Sequence, residues 1–175
     1  FQPYANRWLI FIAYMVGLSI GVHLLNLLVI PAIVFIYYFK KYETTKWGII
    51  KSAALSIVIL GVIMWGIIPG VIIVAGWFEL LFVNGFGMPF NTGVVIYALL
   101  LIAGLTFGIR YTLKHNHTVV NTILTCFVVM LIGYSCYAMV VIRTVSNPPI
   151  DENSPDNVYA LLSYISRDQY GQEPF

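Results

Sequence analysis

An uncharged run of 32 residues, 8–39, is the strongest constraint on this chain. As one helix it would extend about 48 Å at 1.5 Å per residue, against a hydrocarbon core of about 30 Å. It is too long for one ordinary membrane crossing. It also carries His23 and Asn26, which bare lipid tolerates poorly. Gly17, Ser19 and Gly21 cluster at its middle, where glycine permits a sharp reversal. The expectation is two short helices, near 6–19 and 22–39, with their junction sheltered by protein and Pro31 kinking the second.

Composition says which solvent such a run meets. The 175 residues are 60% hydrophobic and only 9% charged, whereas a soluble domain carries roughly 25% charged residues. A chain of this size could not hide so much apolar surface from water, so its solvent is lipid. No basic run interleaved with aromatics suits nucleic acid. Phe1, Gln2, Pro3 and Tyr4 provide no charged leader, so a signal peptide is not expected. The chain reads as part of a longer polypeptide. Cys126 and Cys136 match no zinc or redox spacing and read as small buried apolar residues.

Lys40, Lys41, Lys46 and Lys51 follow the first run and place loop 40–51 in the cytoplasm by the positive-inside rule. Residues 52–69 cross outward, and Pro69-Gly70 ends or kinks that helix. Residues 70–93 read as an outer interfacial or re-entrant segment anchored by Trp77 and several phenylalanines. Residues 94–109 return, and Arg110, Lys114, His115 and His117 mark a second cytoplasmic loop, 110–117. Residues 118–142 form the last crossing. Gly17/Gly21 and Gly104/Gly108 have the small-residue spacing that lets helices approach closely.

Past Arg143 the composition turns acidic: five of the seven carboxylates lie in 151–173. Ser154 as N-cap and Pro155 in the first turn predict an amphipathic helix over 155–167. The expected fold is therefore an all-α, polytopic transmembrane bundle of about five membrane helices, some short or re-entrant. A membrane part, 1–143, precedes an extracytoplasmic loop and short helix, 144–175.

Few residues could carry chemistry. His23 and Asn26 are three apart and share a helix face. They read either as ligands for a phosphate or sugar near the outer surface or as interhelical hydrogen-bonding groups. Glu79 is the one carboxylate inside an apolar stretch. It reads as a substrate-binding or catalytic group, with Trp77 stacking on a sugar, or as an interfacial side chain reaching water. Arg143 could pair with a lipid-linked phosphate through its planar fork, or simply snorkel at a helix end. Asp151, Glu152 and Asp156 lack the pattern of a calcium loop and read as a solvated acidic loop. No metal site is expected.

Three stretches carry a resemblance: 17–28 (GLSIGVHLLNLL), 76–84 with 86–91 (GWFELLFVN and FGMPFN), and 147–157 with 169–171 (NPPIDENSPDN and QYG). They resemble the bacterial membrane-protein family known as domain of unknown function 2723, or glycosyltransferase family 117. That family is grouped with protein O-mannosyltransferase-like enzymes of the GT-C fold. The resemblance implies a bacterial inner-membrane enzyme that moves a sugar from a polyprenyl-phosphate donor to a protein or glycan acceptor on the outer side. The partners it implies are membrane lipid, the lipid-linked sugar and the acceptor, with no further cofactor. In the wider group a turn like 17–21 is followed by a polar or basic residue facing the donor cavity, and His23 occupies that place. Such enzymes resemble one another in an acidic motif in the first outer loop. Nothing acidic precedes Glu43 here, so the catalytic carboxylate is expected upstream of Phe1, with Glu79 the local candidate. The alternatives are a transporter or flippase core, in which broken helices also occur, and a non-catalytic membrane scaffold.

Overall fold

The computed structural model of the chain describes residues 5–151, 153–168 and 171. Phe1, Gln2, Pro3, Tyr4, Glu152, Gln169, Tyr170 and Glu173 lie outside the described residues. The described chain is helical, without a strand. Four helical stretches are long and apolar enough to cross a membrane: Leu24–Lys41, Lys46–Gly85, Thr92–Lys114 and Thr118–Val145. A shorter apolar helix covers Asn6–Ile20.

The long apolar run divides into α1 (Ala5–Ile20), a 3-10 turn (Leu24–Leu28) and α2 (Val29–Lys41). The reversal falls at 21–23, at the C-terminal edge of the glycine cluster. Gly17 does not bend the chain. It lies inside α1, where its missing side chain lets the backbone reach Met130 of α6 (Thr118–Tyr134). Gly133 answers from α6: a Cβ there would stand 2.6 Å from the Leu18 nitrogen. Gly21 then faces Cys136, and the Tyr137 hydroxyl donates to the Ile20 carbonyl at 3.2 Å. These contacts advance together along both chains, so α1 runs parallel to α6. The second small-residue pair serves no such contact. Gly104 meets nothing within 4 Å, and Gly108 meets only the Leu124 side chain.

α2 and α3 (Lys46–Gly61) form a hairpin locked by Tyr38. Its buried hydroxyl accepts from the Thr45 N–H and donates to the Glu43 carbonyl, both at 3.0 Å. Gly48 leaves room for that ring, and Thr45 caps α3 by accepting from the Gly48 N–H. The exposed lysines gather at this end.

Pro69-Gly70 does not end the next helix. α3 runs through a π turn (Val62–Ile67) into α4 (Ile68–Leu80) and a second π turn (Leu81–Gly85). Proline removes an N–H and crowds the carbonyl four residues back. The widened turn just before Pro69, in which the Ile68 N–H reaches back to Ile63, accommodates it. The result is a 40-residue helix, Lys46–Gly85, about 60 Å long. Residues 70–85 thus continue the helix that begins at Lys46, in place of the break expected at Pro69-Gly70. At twice the ~30 Å hydrocarbon core, that helix exceeds one crossing.

α5 (Thr92–Lys114) returns and pairs with α6 through Asn121, whose side-chain amide donates to the Ile109 carbonyl and the Thr112 hydroxyl. The last crossing breaks at Ser135-Cys136 and resumes as α7 (Tyr137–Val145). Ser135 turns its hydroxyl back onto the Ile132 carbonyl at 2.6 Å, a bond that bends helices. The tail helix α8 covers Val158–Ser166. Its N-cap is Asn157, which accepts from the Tyr159 and Ala160 N–H groups. Ser154 cannot play that part, because its φ of 42° places it in the left-handed region. The core joins Val16, Ile20, Leu27, Ile30, Ile63, Ile68, Ile72, Met130 and Tyr134. Through it the Tyr134 hydroxyl donates to the Ile68 carbonyl at 2.8 Å.

The two glycine environments give a direct test. Gly133→Val should lower unfolding stability in detergent by about 1–3 kcal/mol, the usual cost of overpacking. Gly104→Val, on the open face of α5, should stay near the parent's thermal midpoint.

Candidate functional site

The reversal at 21–23 is built from backbone bonds. The Val22 and His23 N–H groups both donate to the Ser19 carbonyl, at 3.1 and 2.9 Å. The Ser19 hydroxyl folds back onto the Val16 carbonyl at 2.8 Å. His23 then turns extended and caps the 3-10 turn: its Nδ1 accepts from the Leu25 N–H at 3.2 Å. That bond places the neutral ring's proton on Nε2, leaving Nε2 as a hydrogen-bond donor. Asn26 follows three residues later, inside the 3-10 turn that the extended His23 caps from outside, so the shared helix face expected from their spacing is not formed. Both side chains are exposed. The turn therefore exposes an imidazole N–H and, three residues on, an amide, adjacent in sequence to the core residues Ile20 and Leu27.

The other candidates stand apart from this turn. Arg143 is exposed in the last turn of α7, seven residues beyond the Cys136 that packs at Gly21. Trp77 and Glu79 are two residues apart on α4, so they face different sides: Trp77 is 66% exposed and Glu79 only 1%.

Glu79 does not reach water as an interfacial side chain would. Its Oε1 accepts the Asn91 N–H, and its Oε2 accepts the Val94 N–H at 3.1 Å. These amides belong to the N-cap and third residue of α5. A helix start leaves its first N–H groups without intrahelical partners and concentrates positive partial charge. The carboxylate of a neighbouring helix supplies both acceptors. Asn91 takes a left-handed φ of 71° and its own side chain makes no cap. Gly93 is bare because a Cβ there would overlap the backbone of Phe78 and Glu79. With both oxygens held by backbone, Glu79 orders the α4–α5 junction and offers substrate no open carboxylate. Sequence reading missed Asn91 and Gly93. Their one visible sign is the turn composition of 89–93.

The tail is tied to the same helix. The Tyr159 hydroxyl donates to the Gly76 carbonyl at 2.9 Å, across a bare glycine surface. Burial, and then the nearby Glu79 carboxylate, push the Tyr159 phenol above its ordinary pKa, so it stays protonated as the donor. Asp151 is half-buried and not simply solvated. It accepts from the Thr144 hydroxyl at 3.0 Å, because the chain folds back after α7. Among the described residues no three His, Cys, Asp or Glu side chains gather as metal ligands.

The His23 turn lies in the part of the chain that has a known relative. Residues 2–46 match the family described as the protein O-mannosyl-transferase TMEM260 N-terminal domain. The match covers 45 of the 175 residues and spans α1, the reversal and α2. No curated protein and no solved structure matches the chain. The chain is thus similar to a protein O-mannosyltransferase region at its start. Together with its apolar helices, this is compatible with a membrane glycosyltransferase.

The cap on α5 is open to test. Glu79→Gln leaves one amide without its acceptor and should cost about 1.5–3 kcal/mol, the range for hydrogen bonds to charged groups. Hydrogen exchange at the Asn91 and Val94 amides should quicken in step, and Glu79→Ala should quicken it further.

Proposed function

We propose that this chain forms part of an integral-membrane glycosyltransferase of the O-mannosyltransferase-like kind. In this reading it transfers a sugar from a polyprenyl-phosphate donor to a protein or glycan hydroxyl on the outer side of a bacterial inner membrane. The observation that carries the reading is the His23 turn. It sits within the matched residues 2–46, and it leaves the His23 Nε2–H and the Asn26 amide exposed. Both can donate to a phosphate oxygen. Arg143 and Trp77, both exposed, are secondary donor contacts in the same reading.

The reaction would be a direct transfer with inversion at the sugar. A base removes the acceptor hydroxyl's proton as the lipid phosphate leaves. Donors placed on that phosphate stabilise the charge it gains. His23 and Asn26 would serve this second task. The base is assigned to a carboxylate outside this chain, since Glu79 is held by backbone.

Orientation follows from charge. Lys40, Lys41, Lys46, Lys51, Arg110 and Lys114 would lie on the cytoplasmic side, and the His23 turn, the 86–91 loop and the tail on the opposite side. Single cysteines report this in intact cells. A membrane-impermeant maleimide should label Asn153→Cys and spare Thr44→Cys, and the reverse pattern would overturn the orientation.

Function is tested in the full-length protein with polyprenyl-phosphate mannose as donor. His23→Ala should reduce kcat/KM for donor by about 100-fold, the scale of losing one donor to developing charge. His23→Gln should recover part of it. Arg143→Ala runs alongside. Unchanged donor binding and turnover in both alanine variants would sink the site assignment.

A further inference from the structure

A second candidate site shares none of the polar residues of the His23 turn. α4, α5, α6, α7 and α8 line a cleft of about 800 Å³, within the ~300–1,000 Å³ typical of small-molecule sites. Its walls are apolar along most of their length, with Ile72 from α4, Ala98 and Leu101 from α5, Val141 from α7 and Leu161 from α8. At one end it shares Asn91, Val145, Asp156 and Asn157 with a second cavity of about 510 Å³. Phe90, Thr144, Asn147, Asp151 and Ser154 complete the lining of that second cavity. Together the two cavities have the outline of an amphiphile: a long greasy slot that opens into a polar chamber.

The polar chamber selects its head group. Among the described residues no Lys, Arg or His lines either cavity, and His23, Asn26 and Arg143 are absent from both. A phosphate would meet Asp151 and Asp156 with no compensating charge, at a cost set by like-charge repulsion and lost hydration. One oxygen of each aspartate is already engaged, Asp151 by the Thr144 hydroxyl and Asp156 by the Asn157 amide. The second oxygens remain as acceptors, beside amides that both donate and accept. A simple cation could use only the oxygens of these groups and would leave the amide N–H donors unused. A sugar hydroxyl both donates and accepts, so it can use the two kinds of group. Phe90, 58% exposed, adds a flat apolar face for the C–H side of a sugar ring.

We propose that this cleft binds an amphiphile with an alkyl chain and an uncharged, polyhydroxylated head, a glycolipid without phosphate at its head group. The site is separate from the proposed donor turn and does not depend on the transferase reading. Binding of a defined probe, with no turnover involved, tests it.

The full-length protein in phosphatidylcholine nanodiscs is photolabelled with dodecyl glucoside bearing a diazirine on its chain. Label should map to the α5 and α7 walls. Unlabelled dodecyl glucoside should displace it at about tenfold lower concentration than dodecyl phosphate or dodecyltrimethylammonium, a gap of about 1.4 kcal/mol. Ala98→Phe and Ala138→Phe fill the slot from exposed positions on its walls. Both should abolish the label while thermal unfolding stays unchanged. Asp156→Asn, which removes charge and keeps hydrogen bonding, should leave glucoside labelling intact. Competition by the phosphate or the ammonium amphiphile as strong as that of the glucoside would overturn the proposal. So would labelling that survives both phenylalanine plugs.

Discussion

The contact of bare backbone on bare backbone between α1 and α6 carries much of the rest of the structure. In lipid, helices gain little from hiding apolar side chains, since the solvent is as apolar as they are. Close approach, with its dispersion contacts, has to supply the association. Gly17 and Gly133 remove the two side chains that would hold the helices apart. Their contact sets Ile20 beside Tyr137 and Tyr134 beside Ile68. The His23 turn then hangs from the end of α1, held against the break between α6 and α7. A functional group on a turn is only as well placed as the helices beneath it.

The other half of the molecule depends on a polar bond. α4 and α5 meet where Glu79 accepts two amides from the start of α5. Away from water those amides would be costly to leave unpaired. Gly93 lets the two backbones come close enough for a side chain to span them. Tyr159 pins α8 to the same helix one turn earlier, at Gly76. The cleft that opens to a polar chamber exists because this junction and the tail hold their places. The same carboxylate that looked available for chemistry is what shapes that wall.

Hydropathy made the class of fold legible. Runs of apolar residue, broken by lysines, read as helices long and apolar enough to span a membrane, and the described chain is helical in those runs. His23 and Asn26 were legible as polar residues in an apolar run, but the shared helix face expected from their spacing was not formed, because His23 is extended and caps the 3-10 turn from outside. The reversal near Gly17–Gly21 was visible as a region. Its residue was not, since a glycine that bends a helix and a glycine that lets a second helix approach look the same in sequence. Pro69 shows the converse. It reads as a stop, yet a π turn one step earlier accommodates it, and no local pattern announces that turn.

What the chain determined by itself is therefore whatever depends on neighbours in sequence: apolar length, charge asymmetry and an amphipathic tail. Tertiary structure alone decided which groups meet across the chain. Glu79 finds Asn91 and Val94 twelve and fifteen residues away, and Tyr159 finds Gly76 across 83. The physical reason is that a buried polar group must be satisfied, but its own sequence does not say by whom. Geometry chooses the partner, and with it decides that Glu79 serves the fold and leaves the polar chamber to Asp151 and Asp156.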